Sequence, residues 1–554
     1  MDKLWEITLG DLLDKQAAEH PNQDCVIYND RPFRTTYAEF RDLVNLTAKG
    51  FLKLGVRRGD HVAMWGTNVP QWMLSMWATA KIGAVLVTVN TNYKVFEAEY
   101  LLRQSDTHTL VMIDGFKDCN YVEIMNQLVP ELEGAKPGEW EAEGLPFLKN
   151  IIYCGEGSHD GMMNWEDLYE LGRQVSDEEL AAAQAQVNIH DVVNMQYTSG
   201  TTGFPKGVML THYNIVNDGK SIGDCMNFST ADRLCIQVPL FHCFGCVLGV
   251  MAAVTHATTM VMVETFRPSV SLKAIHEEKC TALHGVPTMF IALLDHPDFK
   301  NVDFSHMRTG IMAGSPCPIK VMRQVVEQMH MSEITISYGL TEASPVCTMT
   351  TVDDSLELRV ATVGRALPHI ECKVVDPETG EDCPPGVPGE FMARGYNIMR
   401  GYYKMPEATA QAITADGWLH SGDLATRDEN GYYRITGRIK DMIIRGGENI
   451  YPKEIEECLY TNPKVSDVQV IGVPSEAYGE EVMAYVILNQ GEEMTAEEVK
   501  DFLKTRIARH KVPKYISFIE RFPMTASGKI QKFKLRDMAI QELSLQDAAN
   551  IETA

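Results

Sequence analysis

The chain has 554 residues, enough for several folding units or for one large α/β unit with a smaller companion. Hydrophobic residues make up 45% and charged residues 23%, a globular balance that excludes a disordered, collagen-like or low-complexity chain. Against 50 basic residues stand 75 acidic ones; the net charge of -25 argues against a general binder of nucleic acid or anionic membrane, since phosphate surfaces repel it at long range.

The first residues lack a basic stretch followed by an apolar one and show an amphipathic helical pattern, so no signal peptide is expected. Residues 60–65 read as a strand, 70–82 as a helix and 84–89 as the next strand. The alternation returns at 258–263, 272–278, 282–284 and 287–294. Strands separated by helical stretches imply βαβ units and stacked, mostly parallel sheets covered on both faces: an α/β fold. The most apolar stretch, 247–263, is broken by Thr255, His256, Thr258 and Thr259; it reads as a buried helix and strand, not a membrane span. A β-rich part follows at about 362–435, punctuated by Pro and Gly. A boundary falls near Gly437, dividing an N-terminal domain, 1–437, from a small α+β C-terminal domain, 438–554. In the latter, 453–460 and 496–506 read as helices and 465–473 and 481–488 as strands. Its 16 Lys and Arg against 19 Asp and Glu give a net of only -3, and 11 basic residues cluster between Lys500 and Arg536. That cluster reads either as a solvated face or as a phosphate-facing patch. The 13 cysteines, odd in number and scattered, fit reduced thiols of a cytoplasmic protein; Cys243 and Cys246 read as buried thiols rather than a redox or metal pair. The C-terminal residues carry neither a peroxisomal address nor a prenylation box.

The sharpest local signal is Tyr197-Thr198-Ser199-Gly200-Thr201-Thr202-Gly203-Phe204-Pro205-Lys206-Gly207, after a strand-like run at 191–195. Its three glycines let the backbone turn tightly and present N–H groups to an anion, four hydroxyls add donors, and Lys206 adds a positive charge. The set suits a polyphosphate, although it lacks the Gly-Lys-Ser/Thr spacing of a Walker A loop.

This segment resembles the signature phosphate loop of the adenylate-forming, AMP-binding superfamily, which includes acyl-CoA synthetases, aryl-CoA ligases, luciferases and peptide-synthetase adenylation domains. Further motifs occur in that family's order: Pro239-Leu240-Phe241-His242, Ala313-Gly314-Ser315-Pro316, Tyr338-Gly339-Leu340-Thr341-Glu342, Ser421-Gly422-Asp423, Gly437-Arg438-Ile439-Lys440-Asp441, Gly446-Gly447-Glu448-Asn449-Ile450 and Ser527-Gly528-Lys529. The resemblance spans almost the whole chain and is closest to medium-chain fatty acyl-CoA synthetases.

The resemblance implies an ATP-dependent ligase that converts a carboxylic acid to an acyl-adenylate and pyrophosphate, then to a thioester with coenzyme A. Joining a carboxylate to a phosphate brings two anions together, which demands cations and oriented donors; no general base is needed, because the acid is ionised at pH 7. By resemblance, Lys529 bridges carboxylate and α-phosphate, Glu342 holds Mg²⁺, Thr341 touches phosphate and Tyr338, with Gly339, packs against adenine. Gly314, Ser315 and Pro316 border the adenine, Asp423 accepts from the ribose hydroxyls and Arg438 adds a ribose or phosphate contact. Thr198, Ser199, Gly200, Thr201, Thr202, Gly203 and Lys206 form the phosphate loop. The family turns its C-terminal domain as a lid between half-reactions: Lys440 matches the hinge, and Gly446 and Gly447 would then line the pantetheine passage.

The pocket segment His242-Cys243-Phe244-Gly245-Cys246 contains no Asp to pair a substrate ammonium, which points to an acid without an α-amine. His242 matches the family's acyl-site histidine, and Phe244, Gly245, Gly310 and Ala313 are wall candidates. Medium aliphatic acids are the favoured substrates, with aromatic and longer acids as alternatives. Two other readings stand beside the ligase: loading of a carrier-protein thiol in place of CoA, and a non-catalytic nucleotide or acyl binder. No nucleic-acid partner is expected.

Overall fold

The computed structural model describes residues 3–198, 205–315, 317–445, 448–475, 478–504, 506–507, 509–525 and 528–546. Two large sheets dominate the N-terminal part. In the eight-stranded sheet, parallel strands Val85–Thr88, His61–Trp65, Thr107–Met112, Asn150–Tyr153 and Met163–Asn164 follow Val192–Thr198, and the other side ends in the antiparallel strands Lys206–Thr211 and Gly401–Tyr402. The nine-stranded sheet has a parallel centre, Glu333–Gly339, Thr309–Met312, Ala282–Gly285, Arg233–Ile236, Thr259–Met262 and Asp24–Tyr28. Antiparallel strands close both of its sides.

Side-chain alternation explains the layering. In the strand His61–Trp65, Val62 and Met64 enter one apolar cluster while Ala63 and Trp65 enter another on the opposite face. The first cluster joins both sheets through the helices Tyr37–Lys53, Pro70–Lys81 and His212–Cys225. Pro70–Lys81 is buried around almost its whole circumference, with Trp72 and Trp77 fully enclosed, as befits a helix covered on both sides. Its Pro70 occupies the first turn, where a missing N–H costs nothing. The outer face of the nine-stranded sheet has its own cluster, including Cys235, Val261, Leu283 and Met312.

Three local differences from the sequence reading have simple causes. The first helix begins at Leu9, because Thr8 caps it by accepting from the Asp11 N–H. The stretch after Cys243 winds first as a π-helix, Phe244–Met251, then as an α-helix, Ala252–Thr255, before the strand Thr259–Met262; hydropathy does not distinguish these windings. The β-rich part is an antiparallel four-stranded sheet, Ile370–Val375, Gly389–Gly395, Leu419–Arg427 and Tyr433–Arg438, with the helix Pro406–Ala412 inserted.

Beyond Arg438 the described strands pair among themselves. The long hairpin Val465–Ser475 and Gly479–Leu488 is flanked by Ile443–Arg445, Glu448–Ile450 and Tyr515–Phe518. Helices Pro452–Tyr460 and Ala496–Lys504 cover one face and Lys532–Glu542 the other, giving two small cores. Polar contacts tie this unit to the larger part: Lys453 Nζ donates to the Ile435 carbonyl at 3.0 Å, Lys320 Nζ to that of Val465 at 3.3 Å and Thr288 Oγ1 to that of Gly528 at 3.4 Å.

Candidate active site

The phosphate-loop motif joins two antiparallel strands of the eight-stranded sheet. Tyr197 lies opposite Gly207 and Thr198 opposite Lys206, so both ends of the loop are fixed by sheet pairing. Ser199, Gly200, Thr201, Thr202 and Gly203 lie outside the described residues. Lys206 sits with its ammonium 5.0 Å from the centre of the Tyr402 ring.

The strand Glu333–Gly339 delivers Tyr338 and runs into the short 3-10 turn Thr341–Ala343. A Cβ on Gly339 would lie 1.8 Å from the Pro345 carbonyl oxygen, so this turn folds back over a residue that has to be glycine. The Tyr338 hydroxyl donates to Asp423 Oδ2 at 2.8 Å, and Arg438 Nε lies 3.1 Å from Asp423 Oδ1. Asp423 is 7% exposed; burial raises its carboxyl above the ordinary value, opposed by Arg438 and by the Tyr338 hydrogen bond. Next to Thr341, the Glu342 Oε1 accepts from the Tyr402 hydroxyl at 2.8 Å, and the Glu342 carbonyl accepts from the Met399 N–H at 2.8 Å. Thr341 Oγ1 is 3.6 Å from Cys243 Sγ.

Lys529 reaches this region from the C-terminal unit. A tight turn presents it: Thr525 N donates to the Lys529 carbonyl at 2.7 Å, Lys529 N donates to Thr525 Oγ1 at 3.0 Å, and Gly528 takes a φ of +82°. A Cβ on Gly314, itself at φ +87°, would meet Lys529 Cε at 3.7 Å, Phe244 Cδ1 at 3.8 Å and Val286 Cγ1 at 3.1 Å. Gly314 thus marks where the Ala313-Gly314-Ser315 motif, Phe244 and the C-terminal lysine converge. Burial lowers the Lys529 ammonium from its ordinary value; Arg438 acts in the same direction, and Cys243, Asp423 and Glu342 oppose it.

His242 is held as a neutral ring. Its Nδ1 accepts from the Phe244 N–H at 3.1 Å, and burial together with Lys529 pushes it down to about 3. Burial pushes the Cys243 thiol up to about 11 and also raises Cys246, so both remain protonated at neutral pH. Phe244 stacks on His284 with ring centres 6.1 Å apart, and a Cβ on Gly245 would meet the Pro239 carbonyl at 2.4 Å. Ala313, 5% exposed, directly precedes Gly314. Gly310 lies apart from this group: within the strand Thr309–Met312, its Cβ position falls 1.9 Å from the Leu283 carbonyl and 2.8 Å from Met331 Cε. It is a close-packing glycine between strands, a position that no side chain could share.

Ser315 continues from Gly314, with its carbonyl accepting from Cys317 Sγ at 3.4 Å; Pro316, Gly446 and Gly447 lie outside the described residues. Lys440 is exposed in the 3-10 turn Ile439–Asp441 that follows the strand carrying Arg438. The basic C-terminal run is laced with ion pairs: Lys500–Glu497, Lys504–Asp501, Lys511–Glu454, Lys532–Glu456 and Arg536–Glu480. Among the described residues no three His, Cys, Asp or Glu side chains cluster as a closed metal cage. Glu342, a hard carboxylate linked through Tyr402 to Lys206, has the donor chemistry that would suit Mg²⁺. Sequence reasoning missed Tyr402, which touches both Glu342 and Lys206.

The AMP-binding enzyme family model matches residues 13–403, and the AMP-binding enzyme C-terminal domain model matches residues 454–529. The chain is 53% identical over 548 residues to "Putative acyl-CoA synthetase YngI" of Bacillus subtilis (strain 168), covering 99% of this chain and 100% of that protein. It is 43% identical to the mitochondrial medium-chain acyl-CoA ligase ACSF2 of Danio rerio, covering 98% and 90% of the two chains. Among solved structures, the anthranilate CoA ligase AuaEII in complex with anthranoyl-AMP superposes with a TM-score of 0.85 at 26% identity, over 98% of this chain and 99% of that one. ATP-bound MatB from Rhodopseudomonas palustris gives a TM-score of 0.82 at 28% identity, over 96% and 99%.

Proposed function

Because the chain belongs to the AMP-binding enzyme family, as an AMP-forming acid–CoA ligase, we propose that it activates medium-chain fatty acids through two arrangements of its C-terminal domain. The supporting observation is Lys529 beside Gly314, within electrostatic reach of both Asp423 and Glu342.

In the first half-reaction a carboxylate oxygen of the acid attacks the α-phosphorus of ATP. The bond to the bridging oxygen breaks, and pyrophosphate leaves with that electron pair. Lys529 holds the attacking carboxylate against the α-phosphate and offsets the charge that gathers between them. The phosphate loop with Lys206 cradles the departing phosphates. Asp423 and Arg438 fix the ribose, and Tyr338, Gly314 and Ser315 fix the base. Glu342 would hold Mg²⁺, which supplies charge neutralisation at the phosphates. Neutral His242 adds no second cation beside Lys529 and stands at the mouth of an acyl site walled by Phe244, Gly245 and Ala313.

In the second half-reaction the CoA sulfur attacks the acyl carbon, the acyl–phosphate bond breaks, and AMP leaves; the thiol proton passes to solvent. A lysine filling the site leaves poor access for a thiol, so we assign the change of arrangement to the segment around Lys440. In this reading 1–437 is the nucleotide and acyl domain and 438–554 the turning lid. Relatives named as medium-chain acyl-CoA ligases and an apolar pocket segment without an acidic residue support the substrate class. The 13 free cysteines support a reducing compartment such as the cytoplasm.

Pyrophosphate release, measured with acids from acetate to palmitate and with benzoate, a cinnamate and amino acids, tests the proposal with and without CoA. The expected outcome is CoA-dependent turnover that peaks at about six to ten carbons, each matched methylene contributing ~0.8 kcal/mol. A single turnover indifferent to CoA would transfer the acyl acceptor role to a carrier-protein thiol.

A further inference from the structure

Tyr402 belongs to none of the motifs that identify the site. It lies in the two-residue strand Gly401–Tyr402, which pairs antiparallel with Lys206–Thr211, Tyr402 opposite Val208 and Gly401 opposite Met209. Its backbone is held from several sides. Tyr402 N donates to Thr409 Oγ1 at 2.9 Å, Arg400 N to the Met209 carbonyl at 3.0 Å and Tyr403 N to the Gly207 carbonyl at 2.8 Å. Three residues earlier, Met399 N donates to the Glu342 carbonyl at 2.8 Å. The segment is therefore stitched at one end to the backbone of Glu342 and at the other to the residue after Lys206.

The side chain repeats that connection. The hydroxyl donates to Glu342 Oε1 at 2.8 Å, the ring face lies 5.0 Å from Lys206 Nζ, and the residue is 9% exposed. Among the described residues Lys206 and Glu342 make no ion pair with each other: the carboxylate takes the phenol and the ammonium takes the ring face. We infer that Tyr402 is a positioning residue for the phosphate end of the reaction, keeping the Glu342 carboxylate and the Lys206 ammonium apart and directed at one polyphosphate. The inference rests on the reading of Glu342 as the Mg²⁺ carboxylate and of Lys206 as a phosphate contact. A phenol of ordinary acidity is protonated at neutral pH, so it serves as a donor to the carboxylate. Without it, two opposite charges beside the loop are free to neutralise each other before substrate arrives.

The test is calorimetric binding of ATP to the full-length protein with no acid present, with and without Mg²⁺, so that no turnover is read. Wild type is expected to bind ATP more tightly with Mg²⁺. Tyr402→Phe keeps the ring and removes the hydroxyl; it should lose about tenfold of that Mg²⁺-dependent gain and keep its Mg²⁺-free affinity. Tyr402→Leu removes the ring as well and should also weaken Mg²⁺-free binding, by about threefold. Glu342→Gln separates the two levels of the argument. If it leaves the Mg²⁺-dependent gain intact, the metal role of Glu342 falls, and this inference with it. If it removes the gain while Tyr402→Phe retains it in full, the Glu342 reading stands and the role of Tyr402 is overturned. A lowered melting temperature of Tyr402→Phe with an unchanged Mg²⁺ effect overturns it equally, since that is what a purely structural tyrosine would give.

Discussion

Asp423 and Glu342, assigned above to the ribose and phosphate ends of the proposed site, each accept a 2.8 Å hydrogen bond from a tyrosine hydroxyl, yet they are built into the molecule differently. Asp423 sits inside the antiparallel sheet, on a strand paired directly with the strand of Arg438, and its two oxygens are occupied by Tyr338 and Arg438. Glu342 sits on a short turn outside any sheet, and its tyrosine arrives on an edge strand from a distant part of the chain. In the proposed function, the ribose end would thus be a preformed hydrogen-bonding frame that a sugar enters by exchange. The phosphate end would be a set of charges that stays separated until a polyanion joins them. The first arrangement suits binding, and the second suits a step in which charge is redistributed.

The largest effect should come from the residue that senses both ends. Lys529→Ala is expected to lower adenylation by on the order of 10³-fold while leaving thioester formation from a supplied acyl-adenylate within a few-fold. Equal loss in both half-reactions, measured separately, would dissolve the assignment of this lysine to one step. Lys440→Pro, in the turn just after Arg438, should do the converse: adenylation preserved and the CoA step slowed by on the order of a hundredfold. An unchanged CoA step in stopped-flow thioesterification would remove the hinge. The two carboxylates themselves should separate kinetically. Glu342→Gln should lower kcat for pyrophosphate formation about a hundredfold besides removing the Mg²⁺-dependent gain in ATP affinity, and Asp423→Asn should act on KM for ATP, about tenfold, with kcat kept within a few-fold. If Glu342→Gln spares kcat, or Asp423→Asn lowers it as much, the contrast between frame and charge set is wrong. Tyr338→Phe should cost less, a few-fold in KM for ATP, because Arg438 still holds the carboxylate.

A separate expected effect concerns stability. His212, His242 and His284 each accept a backbone N–H at Nδ1, from Leu9, Phe244 and Ile311, at 3.1, 3.1 and 3.2 Å. Burial is the leading cause that lowers them to about 4, 3 and 4, against about 6.5 in an unfolded chain. The native state therefore binds fewer protons than the unfolded chain between these values. Stability is complete above pH ~6.5 and declines as pH falls toward 4, which urea midpoints taken at pH 7, 6 and 5 should follow downward. A flat profile would mean that the three rings protonate in place.

The sequence exposes the parts of this site that are contiguous. Glycine, hydroxyl and lysine spacing around Lys206, and the runs ending in Glu342, Asp423 and Lys529, state their chemistry locally, and the strand-like run at 191–195 places the first of them after a strand. Tyr402 is not visible in that way. Gly401-Tyr402-Tyr403 contains two adjacent tyrosines, and choosing between them requires the pairing register with Val208, which no local pattern encodes. The packing of Gly310 is hidden for a related reason: that this glycine lets two buried strands approach is legible only once the neighbouring Leu283 carbonyl is known. The basic run from Lys500 could not be resolved by composition either, because its partners Glu454, Glu456 and Glu480 precede it by many residues.

The strand Gly401–Tyr402 has a further consequence for how the molecule is made. It caps the flank of the eight-stranded sheet only after the chain has passed through the whole nine-stranded one. Until then Lys206–Thr211 is an edge strand whose outer backbone donors and acceptors are paired only by water, the kind of edge on which chains adhere to one another. A chain ending shortly before residue 402 would therefore leave that edge open and lack the contacts of Tyr402 with Glu342 and Lys206.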